Sequence, residues 1–202
     1  MPILVVTDKS LYTDPISFDD RACVLGRQVP EQVDFTTALS WLEGCEQTHE
    51  LCRRTRNPRP PRRVLDLGYD QSQPTIRLLE DKEWAYRYAT LSHWWGESQP
   101  LKLTRQTREQ FLKEIRSRNL PRMFQDAITA TRLLGLRYLW IDSLCILQDS
   151  KTDWEEQCAE MCRIYRDSYV TIAGPAASSC DHGFLHLRES LVKETFETSD
   201  GD

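Results

Sequence analysis

The sequence is short of the patterns that most often build nucleotide and metal chemistry. Its eight glycines stand at 26, 44, 68, 96, 135, 174, 183 and 201. No two are close enough for a GxGxxG turn or a phosphate-binding loop. HExxH and GxSxG are absent, which removes the zinc-protease and nucleophile-elbow patterns. Seven cysteines are present, an odd number, and no CxxC occurs. Reduced thiols in a cytoplasmic protein are therefore expected. No apolar run approaches the ~20 residues that span a bilayer. The start, Met1 to Asp8, has neither a basic n-region nor a long apolar h-region, so no signal peptide is expected. Positive charge is scarce too: 26 Lys+Arg against 31 Asp+Glu leave a net charge of −5. That argues against a general nucleic-acid partner, because phosphate affinity needs clustered cations.

What is present is a core. The 202 residues are 40% hydrophobic and include six Trp, too apolar for a disordered chain and enough for one sizeable domain with an N-terminal extension. Residues 1–35, with Pro15 and Pro30, are turn-rich and carry no clear periodicity. Ala38, Leu39, Trp41, Leu42, Cys45, His49 and Cys52 recur at three- and four-residue steps, which predicts a helix over 36–56. Residues 56–63, Arg-Asn-Pro-Arg-Pro-Pro-Arg-Arg, read as a basic, polyproline-like linker. Val64 to Gly68 and Thr75 to Leu79 predict two short strands joined by a turn, a hairpin within 64–80.

From Trp84 the pattern sharpens. Tyr86 to Ser92 reads as a strand, Thr107 to Ile115 as a polar helix, and Pro121 opens a second helix. Phe124, Ala127, Ile128, Thr131 and Leu134 form that helix's apolar stripe, and Gly135 ends it. Leu136 to Ile141 is almost wholly apolar, as a strand covered on both faces is. Thr152-Asp153-Trp154-Glu155 fits a capping box. The helix it opens carries Trp154, Cys158, Met161, Cys162 and Tyr165 on one face, so Cys158 and Cys162 are expected to be buried thiols. Tyr169 to Gly174 is a further strand. Strand, helix and strand in alternation predict an α/β fold: a parallel sheet flanked by helices, with Tyr86–Ser92 in the middle. Residues 191–202 form an acidic tail.

Several of these segments resemble one family. Tyr88-Ala89-Thr90-Leu91-Ser92-His93-Trp94-Trp95-Gly96 resembles the opening block of the fungal heterokaryon-incompatibility (HET) domain. Leu120-Pro121 through Ala127-Ile128, then Leu134 to Asp149, resembles its central block. Asp153-Trp154 with Met161 and Ile164-Tyr165 resembles the third block, and Thr171-Ile172-Ala173 with Gly183-Phe184-Leu185 the close. The resemblance spans roughly 41–190 and places the HET domain at 84–190, after an extension over 1–83. Two departures, His93 for a commoner Tyr and Leu147 for a commoner Asn or Ile, touch no position of known role. The resemblance implies programmed cell death when genetically different fungal cells fuse. It also implies distant kinship to TIR domains, with their flavodoxin-like sheet and, in some members, cleavage of NAD.

Ligands of open α/β sheets bind outside the carboxyl ends of the strands, where strand order reverses. Those ends would deliver Ser92, His93, Trp94 and Trp95, then Asp142 and Ser143, then Ser178 and Ser179. Trp94 and Trp95 can stack on a nucleotide ring or serve as core. The serines can hold ribose or phosphate. Asp142 can stabilise an oxocarbenium-like ribose, as glycosidase carboxylates do, or cap the turn that follows it. Glu189 is the second candidate for that carboxylate, since a TIR-like enzyme carries its catalytic Glu after its third strand, unless it belongs to the tail. Glu156 is the third, against a solvated helix face. Cys145 with His93 as nucleophile and base ranks below these. Cys45, His49 and Cys52, at i, i+4 and i+7, could hold Zn with a fourth ligand or pack inward as apolar side chains. Two classes of function follow: an NAD glycohydrolase that works on self-association, or a signalling module that kills by recruiting partner proteins of an incompatibility system without chemistry of its own.

Overall fold

The computed structural model describes residues 3–7, 10–11, 35–50, 59–68, 75–80, 87–93, 95, 101–173 and 183–185. The strands are β1 (Ile3–Thr7), β2 (Ser10–Leu11), β3 (Arg63–Asp66), β4 (Arg77–Glu80), β5 (Tyr88–Ser92), β6 (Tyr138–Trp140) and β7 (Val170–Ala173). They form one sheet in the order β2-β1-β7-β5-β6-β3-β4. Four consecutive strands, β1, β7, β5 and β6, run parallel. The hairpin β3–β4 adds antiparallel strands beside β6, and β2 adds one beside β1. The fold is thus mixed α/β, with the expected trio in place: β5 lies between β6 and β7, parallel to both. The expected hairpin forms too, with Val64 opposite Leu79, and its strand β3 continues the same sheet. β1, the apolar and β-branched run Ile3–Thr7, falls in a segment for which no element is predicted from the sequence.

The helices are α1 (Thr36–Thr48), α2 (Arg105–Lys113), α3 (Arg122–Leu133), α4 (Asp142–Cys145) and α5 (Lys151–Asp167), with a 3-10 turn at Ser117–Asn119. All five stripe residues of the second predicted helix, now α3 and its C-cap Leu134, are buried. α3 ends in a Schellman motif: Gly135 N–H donates to Arg132 O, Leu136 N–H donates to Thr131 O, and Gly135 sits at φ +73°. β5 and β6 present Tyr88, Ala89, Leu91, Leu139 and Trp140 to the core at full burial. Residues 69–74, which would complete the hairpin turn, and the tail 191–202 lie outside the described residues.

Three expectations need correction. The predicted helix over 36–56 is interrupted at His49, and its residues 51–56 lie outside the described residues. The Thr48 hydroxyl turns back to Gly44 O, and His49 takes up extended backbone at φ −99°, ψ 116°. The cap of α5 is Ser150, not Thr152: its hydroxyl accepts from Asp153 N–H at 3.4 Å. Asp153 at that end turns inward to Arg63, and Glu155 pairs instead with Lys151 on the surface. The outcome for the thiols follows from that inward turn. α5 buries Asp153, Gln157 and Ile164, so Cys158 is only half-buried and Cys162 is exposed, both as free thiols. Among the described residues no helix is long and apolar enough to cross a membrane.

Candidate functional site at the strand ends

The chain order within the parallel trio sets the site. From β5 the chain passes through α2 and α3 to β6 on one side. It then returns through α4 and α5 to β7 on the other side of β5. Strand order therefore reverses at β5, and an open crevice of this kind lies outside the carboxyl ends of the strands on either side. β5 ends in Ser92, exposed, followed by His93 and Trp95, each part-buried. β6 ends at Trp140, and one residue later α4 begins with Asp142.

Two of these side chains meet directly. The Trp95 indole Nε1–H donates to Asp142 Oδ2 at 2.7 Å. Asp142 Oδ1 accepts from Ser143 N–H at 2.7 Å. The carboxylate is thus held at both oxygens and aimed by a neighbouring strand's loop. Burial pushes the Asp142 carboxyl above its ordinary value, against the opposing influence of His93 and the two N–H donors. Burial likewise lowers His93, against the charge of Asp142 and a backbone bond at Leu91. The imidazole stands edge-on to Phe124 of α3, ring centroids 5.1 Å apart. Ser143 is fully buried, and its hydroxyl has no hydrogen-bond partner among the described residues.

A wall of α5 completes this region. The Tyr165 hydroxyl donates to Leu91 O at 3.1 Å, and its ring packs edge-on to Trp140 at 5.5 Å. Burial, first, and the Asp142 charge raise the proton affinity of both Tyr165 and Cys158. Helical spacing puts Trp154, Cys158 and Tyr165 on one face. That face was legible in the sequence, but it reads there as core, whereas Trp154 is exposed and Cys158 only half-buried.

The other candidates fall elsewhere. Glu156 is exposed on α5 and 3.3 Å from Arg62. Cys45 is half-buried near the end of α1, and His49 is that helix's extended C-cap. Among the described residues no three His, Cys, Asp or Glu side chains gather as metal ligands. Cys145 is wholly buried, its thiol pushed up to about 12 by desolvation, which keeps it protonated and unreactive. Trp94, Ser178, Ser179, Glu189 and Cys52 lie outside the described residues.

Behind the site stands a buried ion network. Arg63 of β3, 1% exposed, donates to Cys145 O at 3.0 Å, to Asp153 Oδ1 at 2.5 Å and to Glu80 Oε1 at 2.7 Å. Asp153 also accepts from Leu147 N–H at 2.9 Å. Both ends of the loop that follows Asp142 are pinned to the hairpin and to α5.

A mixed α/β sheet with a part-buried carboxylate at its switch point defines a domain of the open α/β class. The chain belongs to the heterokaryon incompatibility protein (HET) family, whose model matches residues 88–201, more than half of its length. Neither the curated proteins nor the solved structures yield a match.

Proposed function

We propose that this HET protein triggers programmed cell death in fungal non-self recognition by cleaving the nicotinamide–ribose bond of NAD at the Asp142 crevice. The observation that carries the reading is the part-buried Asp142 carboxylate, held by Trp95 and Ser143 N–H at the reversal of strand order. The parallel trio, with its first strand between the second and third, has the order that opens flavodoxin-like sheets.

The reaction is a hydrolysis. The C1′–N bond breaks and its electron pair goes to the pyridinium nitrogen, so nicotinamide leaves neutral. Positive charge builds on the ribose, and a fixed carboxylate in a site shielded from water stabilises it more than solvent does. Water then adds at C1′ and releases a proton. His93, held neutral by burial, is a base at the same strand ends that can accept it. Trp95 orients the carboxylate, and Ser143 holds its other oxygen through the backbone N–H. Ser92, Trp94, Ser178 and Ser179 remain candidates for the nucleotide's ribose, phosphates or ring, and Glu189 for a second carboxylate.

The test is Asp142→Asn. Purified wild-type protein should release nicotinamide from NAD, and the variant should lose that release by at least about 100-fold, the scale on which a charge-stabilising group acts. Its expression should no longer kill cells. Asparagine presents an amide donor to one of two N–H groups, so circular dichroism and urea unfolding must show a folded variant. If the folded variant still kills and cellular NAD is untouched in both proteins, the enzymatic reading is wrong. The domain is then a module that self-associates or recruits a death effector.

A further inference from the structure

α5 carries one side chain that the fold does not explain. Trp154 is 51% exposed, and Leu133 is the other large apolar side chain left so open among the described residues. A surface indole of this size exposes costly apolar area that burial would have removed from water.

Its position on the helix is informative. α5 begins just beyond the carboxyl end of β6 and runs back along the sheet. Its C-terminal neighbour Tyr169 donates to Tyr88 O at the opening of β5. The first turn of α5 therefore lies at the same end of the sheet as Asp142. Ser150 and Leu147, which cap and precede that turn, are tied to Asp153 there. Trp154 lies one turn before Cys158 and shares its face. Helical side chains lean toward the helix N-terminus, so the indole leans past the strand ends. Cys158, a turn below, is close enough for the Asp142 charge to act on its thiol. Tyr165, lower on the face, reaches Leu91 O of β5. The face is continuous from the strand ends to the exposed indole.

We infer that Trp154 is the stacking platform for a planar base of the substrate, the adenine or nicotinamide ring of a dinucleotide whose ribose meets Asp142. The inference rests on the reading of the crevice as a nucleotide site and adds the residue that selects an aromatic base. An indole face suits this chemistry because every base has a π-face and stacking needs no hydrogen-bond code.

The experiment measures NAD binding by calorimetry and steady-state NAD cleavage on the full chain, with AMP and nicotinamide mononucleotide as separate probes of the two rings. Trp154→Ala should weaken binding of NAD, and of the mononucleotide carrying the stacked ring, roughly tenfold. KM should rise by a similar factor with kcat changed by less than about twofold, since the platform touches the base and not the reacting bond. Trp154→Phe should restore most of the affinity, which a purely structural role would not require. The site is on the surface, so both variants should keep the wild-type unfolding midpoint. If wild type cleaves NAD and Trp154→Ala binds and cleaves it equally well, the platform is refuted while the crevice reading stands. If wild type neither binds nor cleaves NAD, both fail together.

Discussion

Arg63 shows how much of this site depends on a single side chain far from it in sequence. The Arg56–Arg63 run reads as a solvated basic linker, and for Arg62, 40% exposed, that is close to what forms. Arg63, one residue on, is buried instead, because it opens β3 and meets two carboxylates. Burial alone would raise Glu80 and Asp153. The guanidinium bonds and charges outweigh it and lower both carboxyls from their ordinary values. A buried ion pair of this kind adds little over an apolar replacement of all partners, but removing one partner leaves a charge without compensation. Arg63→Met should therefore cost about 3–5 kcal/mol in urea unfolding at neutral pH. Carboxylates with lowered folded pKa values stabilise the fold above their ordinary value of about 4, and that contribution is lost as pH falls through the folded values. The gap between wild type and variant should thus narrow in acid. An equal gap at pH 7 and pH 3 would mean the loss comes from packing rather than from charge.

At the scale of elements, the sequence was most legible where one periodicity ruled. The α3 stripe, its Gly135 stop and the apolar core strands β5, β6 and β7 all appear close to where alternation and spacing put them. α5 shows what pattern alone cannot decide. Its sequence offers two faces, an apolar one with Trp154, Cys158 and Cys162, and a polar one with Asp153 and Gln157. Periodicity favours the first as core. Arg63 on β3, a partner 90 residues away, makes the second the buried one. Long-range ion pairing of this sort leaves no local trace. The start of α5 is misread for a related reason: Thr152 and Glu155 match the capping-box spacing, while Ser150, two residues earlier, is the residue whose hydroxyl meets Asp153 N–H. Ser150→Ala should lower stability by about 0.5–1 kcal/mol, the lower range for an N-cap because its bond is long. Thr152→Ala, at an exposed first-turn position, should change it by less than about 0.5 kcal/mol. Chemical denaturation of the two variants side by side decides between the caps, and a larger loss for Thr152→Ala would overturn the assignment.

Across the whole molecule, the segment that matches the family model, 88–201, supplies β5, β6 and β7 and the strand-end residues Asp142, His93 and Trp95. The sheet does not stop there. β3 pairs with β6 through Leu65–Leu139 and Asp66–Tyr138, and β1 pairs with β7 through Ile3–Thr171, Leu4–Ile172 and Val5–Ala173. Both outer parallel strands of the matched segment thus depend on upstream residues to satisfy their backbone edges, and an unpaired, apolar edge invites association. The hairpin also contributes Val64, Leu65, Leu67, Leu78 and Leu79 to the core, all buried, and Arg63 to the loop behind Asp142. Asp66 is locked to Arg137 of the matched segment at 2.5 Å. A chain beginning at residue 88 would expose that apolar area and leave Asp153 buried without Arg63. It should therefore aggregate or show no cooperative thermal transition, whereas a chain beginning at residue 59, which restores the hairpin and Arg63 but not β1, should recover part of the cooperativity. Size-exclusion chromatography and thermal circular dichroism on the two fragments and the full chain measure this directly. A monomeric 88–202 fragment that melts as sharply as the full chain would show that the upstream strands decorate the sheet rather than complete it.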